Sequence, residues 1–148
     1  MTITLCGYRV QIDREDRARI ASVNWRVKPG VKGLYFCEVR NFPNSLHRFI
    51  MGCEKNDGKI VDHKNLDTLD NRRENLRFVT RSGSNANRRG NAKSRSGLKG
   101  IWKHRNKWRA CIKVNKKRIY LGLHSTPEKA YAAYCEASAR YHGEYGRC

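Results

Sequence analysis

Ten consecutive residues, 88–97, carry no large apolar side chain in a chain of only 148. A segment like that has nothing to bury and cannot join a core. It therefore splits the chain into two stretches, each with room for one small core. The expected organisation is a module over 1–90, a basic linker over 91–97 and a module over 98–148.

Charge follows the same division. Lys and Arg number 32 against 13 Asp and Glu, a formal charge of +19. Residues 1–60 carry 11 basic and 6 acidic side chains, 61–97 carry 9 and 4, and 98–148 carry 12 and 3. No acid lies between Glu74 and Glu128, yet 15 of those 53 positions are Lys or Arg. An ordinary solvated surface mixes both signs, so the run is the footprint of a polyanionic partner. The run is interleaved with strand-type alternation and holds no basic amphipathic helix, which favours nucleic acid over a membrane.

Other classes fall away. Apolar residues make up 39 % of the chain and include Trp25, Trp102 and Trp108, too many for a disordered basic tail. No stretch approaches the ~18 apolar residues that span a bilayer, and the start lacks a signal-peptide pattern, so a soluble, cytoplasmic protein is expected. Six cysteines are scattered without a Cys-x-x-Cys pair. No structural zinc is expected, and the thiols are read as reduced.

In the C-terminal third, Trp108, Ala110, Ile112 and Val114 alternate with Arg109, Cys111 and Lys113, the pattern of a half-buried strand. Ile119, Leu121 and Leu123 then alternate with Arg118, Tyr120 and Gly122, and Asn115-Lys116-Lys117 makes the turn between the two runs. Residues 99–105 supply a first strand. Ser125-Thr126-Pro127-Glu128 opens a helix with a hydroxyl cap and an early proline. Ala130, Ala133, Tyr134, Ala137 and Tyr141 make its apolar stripe. The expected fold here is a three-stranded antiparallel sheet on one helix, with the other sheet face basic and open.

Lys99-Gly100-Ile101, Lys107-Trp108-Arg109-Ala110, Tyr120-Leu121-Gly122, Thr126-Pro127-Glu128, Ala133-Tyr134 and His142-Gly143 resemble the APETALA-type, or ethylene-response-factor, DNA-binding domain, over about residues 97–146. The resemblance implies a groove-facing sheet surface of Trp102, His104, Arg109, Cys111, Lys113, Arg118 and Tyr120, with Trp108 turned inward. Cys111 stands where the family has an acid, so no base preference carries over. Arg88, Arg89, Lys99 and Lys103 complete the expected DNA-binding set.

Residues 59–80 hold the chemistry. Ile60-Val61-Asp62-His63 reads as a short strand ending in a carboxylate and an imidazole. A polar turn over 64–73 follows, then a returning strand with Leu76, Phe78 and Thr80 on one face. A short polar helix is expected from residue 81 or 82 to about 89. The text from Val61 through Asp62, His63, Asn71 and Asn75 to Thr80, with residues 46–52 upstream, resembles the HNH endonucleases, including those of phages and homing elements, and implies their ββα-metal fold.

Phosphodiester hydrolysis needs an activated water, stabilisation of the phosphorane-like transition state and help for the leaving 3′-oxygen. His63, ordinarily near pKa ~6.5, suits the general base. Asp62 suits a hard divalent cation, Mg2+ or Mn2+. The family's middle asparagine maps onto Asn75, which would pin the loop carrying His63. The family's second metal ligand falls on Ser84; Asn85 and Asn87 flank it, and Asn85 is the favoured donor. His47 is read either as a buttress of the site or as a packed strand histidine. Asp67 and Asp70 resemble solvated turn residues. Arg72, Arg73 and Arg77 either contact phosphate or pair with Asp70 and Glu74.

In the N-terminal part, residues 8–12 and 34–39 alternate as strands with a short helix over 14–22 between them. Asn24-Trp25-Arg26 resembles the segment that precedes the motif in phage HNH proteins. This layer is expected to support the nuclease hairpin, with Arg40 and Arg48 as possible DNA contacts.

The α+β chain thus reads as a metal-dependent HNH endonuclease acting on double-stranded DNA. A single metal site per chain implies nicking unless two chains cooperate, and a monomer is favoured. The alternative is a DNA-binding regulator that has lost cleavage at Ser84. An RNA-binding protein is the third reading, disfavoured because the sheet was expected to lack an exposed aromatic pair.

Overall fold

The computed structural model describes residues 1–29, 35–39, 45–54, 56–88 and 96–148. Arg89, Arg40 and most of the expected linker lie outside the described residues. The chain divides into two compact units, Met1–Thr80 and Arg81–Cys148.

The first unit is a set of short hairpins around one core. Strand β1 (Thr2–Leu5) pairs antiparallel with β2 (Tyr8–Gln11), and a 3-10 turn leads into helix α1 (Arg17–Ala21). Strands β3 (Trp25–Pro29) and β4 (Tyr35–Val39) form a second hairpin, and α2 (Leu46–Ile50) follows. Strands β5 (Ile60–His63) and β6 (Leu76–Val79) form the third. Val10, Ile12, Ile20, Leu46, Ile50, Val61 and Leu76 are buried together, so β2, α1, α2, β5 and β6 each contribute one or two apolar side chains to a shared core, and Ile3, Leu5, Trp25 and Val27 pack against it. Single hairpins are marginal in water; this core is what holds three of them.

The N-terminal layer supports the third hairpin through specific bonds. The amide of Gln11 donates to the Leu69 carbonyl at 2.8 Å, and the amide of Asn71 donates to the Gln11 carbonyl at 2.8 Å. The end of β2 thus pairs with the loop between β5 and β6. Asp16, 1 % exposed, accepts from Arg73 Nη2 at 2.8 Å and Nε at 3.0 Å. The Arg73 amide also donates to Asp13 at 2.7 Å.

The second unit holds α3 (Arg81–Asn87), strands β7 (Ile101–His104), β8 (Lys107–Val114) and β9 (Lys117–His124), and helix α4 (Pro127–His142). The sheet is antiparallel in the order β7-β8-β9. The β8-β9 turn is the two residues Asn115 and Lys116, both at positive φ (47° and 68°), so the hairpin takes a primed turn without glycine. Thr126 caps α4 by accepting from the Lys129 amide, with Pro127 in the first turn. Ile101, Ala110, Ile112, Ala130, Tyr134 and Ala137 form the core.

Several expectations fail here for identifiable reasons. The β8-β9 register shifts at Ala110/Cys111, so Ala110 faces Gly122 while Cys111 faces Tyr120. The extra residue, Leu121, turns Leu123 away from the core: it lies opposite Arg109 and is 44 % exposed. Tyr141 is also exposed, and Ser138 takes its place on the buried stripe of α4. Phe78 is exposed beneath the Lys59 ammonium rather than packed with Leu76. Cys135 and Cys148 form a disulfide, against the expectation of reduced thiols throughout, because the chain doubles back after Gly143 and brings the two Cα atoms to 5.5 Å. Cys6, Cys53 and Cys111 are thiols outside any disulfide.

Candidate functional site

Asp62 and His63 end β5 and, as neighbours on a strand, face opposite sides of the hairpin. Asp62 lies opposite Arg77 on one face, and His63 opposite Leu76 on the other. Arg77 Nη2 sits 3.7 Å from Asp62 Oδ2, an ion pair longer than a hydrogen bond.

His63 is buried, at 7 % exposure, against Asn71, which the sequence did not assign to it, and against His47, one reading of which was a buttress of the site. Its Nε2 lies 3.3 Å from Asn71 Oδ1. The His47 ring stands edge-on to it at 4.9 Å between centroids. Burial pushes the His63 pKa down, opposed by the bond to Asn71 and by the charge of Asp62. His47 is driven to about 3, by burial first and then by His63 and Arg48. Both rings are therefore neutral at pH 7. His47 sits on α2, not on a strand, and its Nε2 is 3.0 Å from Ser45 Oγ.

Asn75 pins the loop after β5, as its position in the motif implied. Its Oδ1 accepts from the Asn65 amide at 3.1 Å, and its Nδ2 donates to Asn65 Oδ1 at 3.0 Å and to the Asp70 carbonyl at 2.7 Å. The Asn75 carbonyl also accepts from the Lys64 amide at 2.9 Å. Asn71, not Asn75, touches the His63 ring. The signal for Asn71 was in its place inside the motif, but spacing alone does not say which amide reaches the imidazole.

Asp70 is buried at 2 % rather than solvated. It takes a two-pronged contact from Arg72, Nε to Oδ1 at 2.8 Å and Nη2 to Oδ2 at 2.9 Å, and a bond from Asn65 Nδ2 at 3.0 Å. That contact holds its carboxyl below the usual range. Asp67 does cap a turn, accepting from the Leu69 amide at 3.0 Å. The arginines divide: Arg72 serves Asp70 and Glu74, and Arg73 serves Asp16 and Glu15. Arg48 closes the loop before β5, bonding Asp57 and the carbonyls of Glu54 and Lys59, so its role here is structural.

The metal expectation can be tested against donor chemistry. Asp62 offers a hard carboxylate oxygen at 14 % side-chain exposure, 3.7 Å from Arg77 Nη2. Asn85 offers a neutral amide oxygen from α3, which belongs to the second unit. Taken singly, hard oxygen donors of this kind suit Mg2+ or Mn2+ rather than zinc. Among the described residues, no three His, Cys, Asp or Glu side chains gather as a metal-ligand group.

On the second unit's sheet, Arg109 lies between two exposed rings. Its guanidinium carbon is 5.0 Å from the Tyr120 centroid and 5.9 Å from that of Trp102, and Arg118 stands 5.7 Å from Trp102. Trp102 and Tyr120 are 37 % and 52 % exposed, so the expected absence of an exposed aromatic pair is wrong. Strand alternation puts His104 on the same face as Trp102, and Lys113 lies opposite Arg118. Cys111 shares the parity but is buried. Lys103 pairs with Trp108 and falls on the other face. Arg88 is exposed beyond α3, and Lys99 lines a cleft away from the sheet face. Among the described residues no helix is long and apolar enough to cross a membrane.

No curated protein matches the chain. No solved structure matches it either. A model of the HNH endonuclease family matches residues 51–86, the stretch that contains β5, β6 and most of α3, and this likeness supports an HNH nuclease acting on DNA.

Proposed function

We propose that the chain is a metal-dependent, homing-type HNH DNA endonuclease whose catalytic residues lie on the β5-β6 hairpin of the first unit, and that the sheet of the second unit binds double-stranded DNA. The observation that carries this reading is the pinned hairpin: Asn75 fixes the loop with three side-chain bonds, and Asn71 holds the ring of His63. Such rigidity is what a general base requires.

His63 accepts the proton of the attacking water at a ring nitrogen, and burial keeps that ring neutral for the task. Asp62 is the residue of the hairpin that would hold the divalent cation. When bound, the cation supplies charge stabilisation for the phosphate and the leaving 3′-oxygen. Arg77, 3.7 Å from the Asp62 carboxylate, offsets part of the cost of burying it. Cleavage leaves 5′-phosphate and 3′-hydroxyl ends. On the second unit, Trp102, His104, Arg109, Lys113, Arg118 and Tyr120 contact the duplex as an APETALA-type domain does. Arg88, Arg89, Lys99 and Lys103 add to its electrostatic attraction.

The test is a nicking assay on supercoiled plasmid with Mg2+ or Mn2+, comparing wild type with His63→Ala. Cutting by wild type and a loss of about 10² to 10⁴-fold in the variant is expected. Equal rates would sink the general-base assignment. No cutting by wild type across many substrates would favour the non-cleaving regulator.

A further inference from the structure

The second unit contains a cleft of about 570 Å³ on the side of α3, α4 and the β8-β9 turn. Arg81, Lys99, Lys113, Lys116 and His142 line it, and none of its described lining residues is acidic. Lys113 belongs both to it and to the exposed face that carries Trp102, Arg109 and Tyr120, whereas its other lining residues come from α3, α4, the β8-β9 turn and the segment before β7.

Lys99 is the recessed member. Its ammonium donates to the Ala86 carbonyl and stands 6.0 Å from the Tyr134 ring centroid. Tyr134 is itself 3 % exposed, so this lysine rests on the floor of the unit's core. Four cationic side chains, Arg81, Lys99, Lys113 and Lys116, share a concavity with no carboxylate in its described lining, and a bound anion relieves their mutual repulsion.

We propose that this cleft binds the terminal phosphate monoester of a DNA strand, the group that cleavage to a 5′-phosphate exposes. The reasoning is one of charge and shape. A terminal monoester carries close to −2, against −1 for an internal diester. It can also enter a recess, whereas a duplex backbone runs along a surface. Burial and the neighbouring Arg147 push Lys99 down to about 8, and Lys99 together with burial lowers His142. A dianion in the cleft offsets both effects. The proposal rests on the reading that the chain handles DNA ends, but its test does not depend on cutting.

The experiment measures binding of the full chain to one short duplex, with either 5′-phosphate or 5′-hydroxyl ends, in EDTA. A 3′-phosphate duplex and free inorganic phosphate serve as further arms. Wild type should bind the 5′-phosphate duplex about 10-fold more tightly than the 5′-hydroxyl one, the scale of one charge-assisted contact. Millimolar inorganic phosphate should erase that preference. The ratio should fall towards one in Lys99→Met and in Lys116→Asn; asparagine tolerates the positive φ of the turn, so the second variant keeps the fold. Equal affinity of wild type for both ends overturns the proposal and leaves the nuclease reading standing. A preference for the 3′-phosphate duplex overturns the assignment to the 5′ end. Failure to bind any duplex overturns both readings.

Discussion

Asn71 sets the tautomer of His63. Its Nδ2 donates to the Thr68 carbonyl at 3.0 Å, which turns its Oδ1 towards the ring, 3.3 Å from Nε2. An oxygen there accepts, so Nε2 carries the hydrogen and Nδ1 is the basic nitrogen. Asn71 is in turn held by its backbone bond to Gln11 and is 2 % exposed. The N-terminal strand layer thereby reaches the His63 ring through one amide.

Asn71→Ala should lower kcat by about 10²-fold with little change in KM, because a mispositioned base costs rate rather than binding. The accompanying readout is the tautomer. Nitrogen-15 spectra should show mainly the Nε2-protonated ring in wild type and a mixture in the variant. An unchanged tautomer would refute the assignment.

The His47 shift makes stability depend on pH in a defined window. Its pKa is about 3 in the fold and near 6.5 when unfolded, so the unfolded chain binds more protons between those values. Stability is then full above about pH 6.5 and falls by about 1.4 kcal/mol per unit below it, with His63 acting in the same direction. Carboxylates with depressed values, such as Asp70, lose their contribution only at lower pH. Urea midpoints at pH 7.5 and 5 should differ in wild type, and much less in His47→Gln, which keeps a polar partner for Ser45.

Gly100 is required by two close neighbours. It sits at φ +75°, and a Cβ there would lie 2.2 Å from the Tyr134 ring and 2.7 Å from the Cys111 carbonyl oxygen. Neither can yield cheaply, since one is core and the other is sheet backbone. Gly100→Ala should cost roughly 3 to 5 kcal/mol of the second unit's stability, from strain and overpacking together. Thermal unfolding followed by near-UV circular dichroism of Trp102 and Trp108 would measure it.

What the sequence made legible were the local, short-range patterns. The Asp62-His63 strand, the return at Leu76, the Thr126 cap and the sheet on α4 all follow from alternation, capping and spacing within a few residues. What escaped depends on three-dimensional contact. The shift at Cys111 moves Leu123 to the other face without a mark in the alternation. Asp70 looks like any turn aspartate until Arg72 folds over it. His47 reaches His63 from a helix 16 positions earlier in the chain, a distance no periodicity reports.

On the proposed reading of the sheet as a nucleic-acid surface, its aromatic pair bears on whether single strands or duplex would be bound. Exposed Trp102 and Tyr120 could stack unpaired bases if their faces were bare. Arg109 stands over both rings and Arg118 over Trp102, so guanidinium groups already occupy that space. Arg109 Nε is buried without a hydrogen-bond partner among the described residues, which leaves the outer edge of the guanidinium to present its donors. A fork held flat by rings suits base edges in a duplex groove. Duplex DNA should therefore outcompete single strands of the same sequence. Trp102→Ala should weaken duplex binding by about 10-fold through loss of its hold on both arginines, and Arg109→Lys should cost about as much despite the retained charge. The salt slope should stay nearly constant in Arg109→Lys, since the number of phosphates neutralised is unchanged. Tighter binding to the single strand, or a Trp102→Ala defect confined to it, would instead identify the rings as a stacking surface.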